Sequence, residues 1–261
     1  MTTEEVARVS RIRALEMVHR AQAAHIGSSL SCIDLLSVLY SRLDPLKTLR
    51  DQSEVILISK GHAAAGVYAV MSAVGLLSDE VLKTFCRDGG VLSGHVTAGD
   101  YVEFSTGSLG HALPYGLGRA LAIKKRQGAQ RVHVLLSDGE CDEGSNWEAA
   151  LIASHLELNN LKVLVDRNFL QSLDSTEETI RLEPLADKWR AFGWSVSNFD
   201  GHNHADIQHF LNTSFPGPAI GIAKTTKGFG VSFMENSVMW HYKSPNLSEL
   251  QRALKELEHN A

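Results

Sequence analysis

The chain has 261 residues, 44% of them hydrophobic and 21% charged, a balance that suits a soluble globular protein with a sizeable core and excludes a disordered one. Its net charge of −5 speaks against a nucleic-acid or anionic-membrane partner, and no apolar run approaches the roughly 18 residues of a spanning helix. The N-terminal MTTEEVARVSRIRALE is unlike a secretory leader, and Cys32, Cys86 and Cys141 are scattered without CxxC spacing, so a reducing, cytoplasmic location is expected.

In chain order, an amphipathic helix is predicted over 3–22 and a second over 31–43 (SCIDLLSVLYSRL), which Ser31 would cap. A short apolar strand follows at 54–59 (EVILIS). Strands at 131–137 (RVHVLLS) and 161–166 (LKVLVD) flank a helix at 142–158. A helix at 184–192, a strand at 194–199 (WSVSNF), a helix at 204–214, a strand at 219–225 (AIGIAKT) and a charged helix at 246–259 complete the pattern. Strands this rich in Val, Ile and Leu are those buried on both faces. Their alternation with helices predicts an α/β fold, a doubly wound, mainly parallel sheet with helices on both faces. No internal repeat, low-complexity tract or linker divides residues 1–261, so a single domain is expected.

Ligands of such sheets sit beyond the carboxyl ends of the strands. Those ends read Ser59-Lys60-Gly61-His62, Ser137-Asp138-Gly139-Glu140, Asp166-Arg167-Asn168 and Lys224-Thr225-Thr226-Lys227-Gly228, all polar or glycine-rich. In SDGE a carboxylate ends a strand, a glycine lets the backbone approach a phosphate, and a helix begins just beyond. Asn168 stands at the next strand end, one helix and one strand later, so Asp138 and Asn168 can meet on one edge. One carboxylate and one amide oxygen suit Mg2+, with Ca2+ or Mn2+ as substitutes. A helix cap at Asp138 and a turn at Asn168 are the structural alternative.

Other motifs are missing. There is no GxGxxG after a strand, no GxxxxGK[ST], no HExxH and no GxSxG, which leaves nicotinamide, P-loop, zincin and hydrolase-elbow chemistry without support. His202, His204 and His209, in DGHNHADIQH, have the density of a metal site but fall where a strand gives way to a helix, and are read as turn and cap residues. His111, His133 and His155 are assigned no function.

VLLSDGECDEG…NNLKVLVDRNFLQS resembles the thiamine-diphosphate signature GDG…N, with Ser137 in place of the first glycine. AHIGSSLSCIDLL (24–36), ISKGHAAAGVYAV (58–70), SGHVTAGDYVEFSTGSLGHALPYGLGRA (93–120) and KTTKGFGVSFMENSVMWHY (224–242) are similar to transketolase blocks and come in that family's order. The resemblance implies that Asp138, Asn168 and the backbone carbonyl of Leu170 hold Mg2+, and that Gly139, Glu140 and Asn168 meet the diphosphate of thiamine diphosphate. It implies that His62, Lys227 and His241 line the diphosphate and the reacting carbon, that Ser28 and Lys60 are further cofactor contacts, and that the Gly107-Ser108-Leu109 backbone meets the aminopyrimidine. His25, His62, His95 and His241 match positions that touch donor-sugar oxygens or move protons, and Glu143 one that links paired active sites.

Transketolases carry this domain together with a pyrimidine-binding and a C-terminal domain. The resemblance therefore implies the N-terminal subunit of a split transketolase, an α2β2 assembly with a partner chain that carries the pyrimidine domain. It would pass a two-carbon ketol unit from a sugar or sugar phosphate to an aldose. The α-chain of another split thiamine enzyme, such as a 2-oxo-acid dehydrogenase, and a non-catalytic partner-binding homologue are the alternatives. The SKGH, SGH and MENxxxWH blocks favour transketolase over the first, and the intact metal pair and four histidines favour catalysis over the second.

Overall fold

Five strands, β1 (Glu54–Ile58), β2 (Arg131–Ser137), β3 (Leu161–Arg167), β4 (Ser195–Asp200) and β5 (Ala219–Lys224), form one sheet in the order β1-β2-β3-β5-β4. Every pairing is parallel. The computed structural model describes residues 1–259. β3 is buried along its whole length, as a continuous apolar run at the centre of a parallel sheet must be. The polar β4 is the half-exposed edge strand.

Ten helices accompany the sheet among the described residues: α1 (Thr3–Ala21), α2 (Ile26–Tyr40), α3 (Ala64–Ala73), α4 (Asp79–Leu82), α5 (Ala112–Lys125), α6 (Gly144–His155), α7 (Thr176–Thr179), α8 (Leu185–Ala191), α9 (His204–Asn212) and α10 (Leu247–His259). α5, α6 and α8 share one apolar cluster with the sheet, and α1, α2, α3 and α9 share the other, so the predicted double winding is present. Chain order explains the split. Steps from β1 through β4 advance across the sheet and lay α5, α6 and α8 on one face; the step from β4 to β5 runs back, which puts α9 on the opposite face if each crossover is right-handed. α1 starts on a capping box, with the Glu5 N–H donating to Thr2 Oγ1 and the Thr2 N–H to the Glu5 carboxylate.

The helix predicted at 31–43 begins earlier, at Ile26, and Ser31 is no cap but a buried residue within it. The sequence pattern signals neither α3 nor α5. α2 and α3 are buried at every position, so neither carries the polar stripe that periodicity detects. In α5, Pro114 and Gly116 hide the helix. Pro114 is tolerated because it lies in the first turn, and a Cβ at Gly116 would come within 2.8 Å of Val134 on the sheet. Cys32, Cys86 and Cys141 are all free thiols, and no helix among the described residues is long and apolar enough to cross a membrane.

Candidate functional site

Because the strands are parallel, their carboxyl ends meet at one edge. There a cavity of about 230 Å³ opens. β2 delivers Ser137, Asp138 and Gly139 to its wall, β3 delivers Asn168 and Leu170, β1 delivers Lys60 and His62, and the loop after β5 delivers Lys227. The start of α2 adds His25 and Ser28, and the segment ahead of α5 adds His95, Gly107 and Leu109. A 3-10 turn at Val238–His241 brings in His241. The four singled-out histidines gather around one ring: His25 lies 5.4 Å from His62, 5.7 Å from His95 and 4.9 Å from His241 between ring centroids.

Two left-handed residues shape the wall. His25 has φ 72°, a conformation that disfavours any side chain, and its N–H donates to the His241 carbonyl at 2.8 Å. That bond ties the start of α2 to a turn more than two hundred residues away and holds both rings together. Phe169 has φ 67°, and its N–H donates to Asp138 Oδ2 at 2.7 Å. The kink lets the Asn168 side chain and Leu170 both face the cavity.

Beneath the wall lies a buried polar layer centred on Asp166, a residue that the sequence pattern leaves without a role. Asp166, at the end of β3, accepts from Lys60, from Ser31 Oγ at 2.6 Å and from Thr225. The Asn168 amide nitrogen donates to Ser31 Oγ at 3.1 Å and to Asp166 at 3.3 Å. Its nitrogen is thereby turned inward and its oxygen receives the Leu170 N–H. Burial opposes the charge on Lys60, but the Asp166 carboxylate outweighs it and holds the ammonium above its ordinary range. The sequence signal was present: a carboxylate at the end of a central strand demands a buried cation, and SKGH supplies one.

Charge on the cavity wall is poorly balanced. Burial pushes the Asp138 carboxyl up, as does neighbouring Asp166, against the opposing pull of Arg167 at 3.2 Å. Lys227 is lowered to about 8 by burial and by Lys60. Its ammonium donates to the Leu170 and Gln171 carbonyls at 3.3 and 3.0 Å and lies 3.0 Å from His241 Nδ1. His25 is lowered to about 4, by burial first and then by His95, Lys227 and Lys60. His241 falls to about 3 through burial and Lys227, and His62 lies well below its ordinary value through burial and Lys60. These three imidazoles are neutral near pH 7, able to donate, accept or take up a proton.

Three of the predicted site residues stand off the wall. Glu140 is fully buried and points away, accepting from Ser59, from the Gly110 N–H at 2.7 Å and from the Ser137 N–H at 3.2 Å. It clasps the 107–110 loop to the sheet. Ser108 is exposed beside Gly107 and Leu109, which do line the cavity. Glu143 is exposed at the start of α6, where it makes no side-chain cap bond. Gln171, Ser172 and Tyr242 also line the cavity, and no motif in the sequence singles them out. The N-cap of α9 is Asn203, so His204 is no cap; both His202 and His204 bond Asp34. No group of three or more His, Cys, Asp or Glu suited to a metal occurs among the described residues.

Comparison with known proteins agrees with this geometry. Residues 2–258 match the family described as transketolase, thiamine diphosphate binding domain. The chain is 38% identical to one of the subunits of the apulose-4-phosphate transketolase of Phocaeicola vulgatus, across 98% of this chain and 94% of that one. It is 35% identical to a 6-deoxy-6-sulfo-D-fructose transketolase subunit of a Clostridium species, across 97% and 94%. The crystal structure of Campylobacter jejuni transketolase superposes with a TM-score of 0.91 at 27% identity, over 98% of this chain but 42% of that one. The chain thus spans about two-fifths of that chain and of human transketolase. With the family match, the fold and the strand-end site in agreement, the chain belongs to the transketolase family, as a transketolase-like transferase built on that family's thiamine-diphosphate-binding domain.

Proposed function

We propose that this chain is the N-terminal subunit of a split transketolase, moving a two-carbon ketol unit from a ketose to an aldose with thiamine diphosphate and Mg2+. The observation that carries the reading is the convergence of four histidines, two lysines and the Asp138–Asn168–Leu170 oxygens on one cavity at the sheet edge.

The residues fit both groups. Asp138, the Asn168 amide oxygen and the Leu170 carbonyl are hard oxygen donors on one wall, and one carboxylate with two neutral oxygens leaves Mg2+ room for diphosphate oxygens and water. A cation is already drawn to this point, since the Lys227 ammonium bonds the Leu170 carbonyl. Ca2+ or Mn2+ would be accepted by the same donors. Gly139, Ser28, Lys60 and Lys227 would hold the diphosphate, and the Gly107 and Leu109 backbone would face the aminopyrimidine. When bound, thiamine diphosphate supplies the electron sink for breaking a carbon–carbon bond beside a carbonyl. The protein's own part is to orient and to move protons. His25, His62, His95 and His241 hold sugar oxygens, and neutral imidazoles among them take up hydroxyl protons where the surrounding chain excludes water.

Phe169, Leu173, Met239 and Tyr242 are exposed apolar residues on or beside segments that line the cavity. Such a surface supports a partner chain docking over the mouth, bringing the pyrimidine domain in an α2β2 cytoplasmic assembly. Relatives that match along nearly their whole length, and are themselves named as transketolase subunits, support the same division of labour. The test is titration of the partner chain into this one, read by a coupled ketol-transfer assay and light scattering. Activity should appear only in the complex and saturate at a one-to-one ratio. Robust turnover by the purified 261-residue chain alone overturns the split reading.

A further inference from the structure

The loop after β5 places Lys227, and its backbone is held at several points. The Thr225 N–H donates to the Arg167 carbonyl at 3.1 Å, and the Gly228 N–H to the Gly27 carbonyl at 3.0 Å. The Thr226 N–H is received differently. It donates to Nε2 of His202, a side chain from the loop after β4, at 2.9 Å.

That bond fixes the state of the ring. A nitrogen that accepts a backbone N–H carries no proton, so the proton of neutral His202 is on Nδ1. Nδ1 lies 2.6 Å from Asp34 Oδ2, within the buried middle of α2. Asp34 is in turn held by Arg11, whose Nε donates to the Phe229 carbonyl of the same loop at 3.3 Å. The His202 ring stacks on Phe229 with centroids 3.5 Å apart and planes 14° from parallel. The approach depends on Gly201. A Cβ there would come within 2.4 Å of Thr225 and 3.0 Å of the Lys224 carbonyl, so only glycine lets the β4 end come this close to β5.

His204 serves as an internal control. Its Nε2 bonds the other oxygen of Asp34 at 3.0 Å, and it is buried where His202 is half-buried, but no bond runs from it to the 225–228 loop. The two histidines share an anchor and differ in what lies beyond it.

We propose that His202, oriented by Asp34, is a positioning residue that sets the Thr226–Lys227 backbone and so fixes the Lys227 ammonium at the cofactor cavity. This rests on the reading of Lys227 as a diphosphate contact. An imidazole held by a carboxylate and spending its free lone pair on a loop amide is the arrangement that orients ligands from one layer behind a site.

The experiment compares His202→Ala, His202→Gln and His204→Ala in the full chain. Binding of thiamine diphosphate with Mg2+ is measured calorimetrically, and hydrogen exchange of the Thr226 and Lys227 amides by mass spectrometry and NMR. His202→Ala should weaken binding about tenfold and speed exchange at both amides. His202→Gln, whose side-chain oxygen can receive the Thr226 N–H, should recover most of both. His204→Ala should stay within about twofold of wild type in affinity, whatever stability it loses with its Asp34 bond. Equal effects of His202→Ala and His204→Ala, or no recovery by His202→Gln, overturn the proposal. Failure of the wild-type chain to bind would count against the cofactor reading instead, and the exchange comparison would still decide whether His202 sets the loop.

Discussion

Buried charge occurs at both edges of the sheet, and the two edges treat it differently. At the amino edge Glu54 of β1 receives His133 of β2, Arg42 at 3.0 Å and Arg131 at 2.5 Å. Burial opposes its charge, but His133 and Arg42 prevail and hold the carboxyl down at about 2. Lys162 of β3 is lowered to about 8 by burial and by Arg131, and its ammonium donates to the carbonyls of Phe210, Leu211 and Thr213 around the end of α9. Lys227, at the carboxyl edge, is lowered to the same value. The carboxylates differ: cationic partners hold Glu54 down, whereas burial and Asp166 push Asp138 up in spite of Arg167. Charges closed on opposite partners hold a fold together. Like charges gathered around a cavity are balanced only when a ligand brings anion and cation with it.

The largest effects should come from neutralising one carboxylate at each edge. Asp138→Asn should weaken binding of thiamine diphosphate with Mg2+ by about a hundredfold or more in calorimetry. Its unfolding temperature should stay level or rise, because the carboxyl it replaces is already disfavoured by burial. Glu54→Gln should do the reverse, costing about 3 kcal/mol in urea unfolding as it strands its buried partners, with affinity unchanged in the folded protein. Equal destabilisation by the two variants would mean that the edges are alike.

A smaller effect is expected at His25. Replacement by glycine should lower ketol transfer in the assembled enzyme about a hundredfold, the scale of a lost proton-transfer group. It should not lower the unfolding temperature, since φ 72° is open to glycine and disfavoured for other residues. A glycine variant that melts well below the wild type would show that the ring itself holds the fold.

The smallest effect lies in pH. His25 and His241 are held at about 4 and about 3, against 6.5 in the unfolded chain. Between pH 6.5 and 4 the unfolded state therefore binds more protons, and stability falls as pH drops through that window. Bound diphosphate offsets Lys227 and Lys60, which with burial keep these rings neutral, so it should flatten the slope. The share from His133, lowered by burial at the opposite edge, should remain. Urea unfolding across the window, with and without cofactor, checks this; an unchanged slope would remove the site histidines from the account.

What the sequence determined by itself was everything carried by local pattern. Four of the five strands, β4 excepted, are short apolar runs ended by polar or glycine-rich residues, and those ends fall at the cavity, because a parallel sheet brings its carboxyl ends to one edge. SDGE, Asn168, SKGH and Lys227 were legible for that reason. Tertiary structure decided the rest. α2 starts at Ile26 because His25 is pinned in a left-handed turn by a carbonyl at His241, a contact that no local window contains. α3 is hidden because a helix buried on all sides loses its polar stripe. Glu140 reads like part of the motif but is consumed by Ser59 and two backbone amides, while Asp34, Asp166 and His202 gain their roles from partners far along the chain. A buried polar group must find its partner wherever the fold puts one, and that partner is set by three-dimensional proximity rather than by spacing.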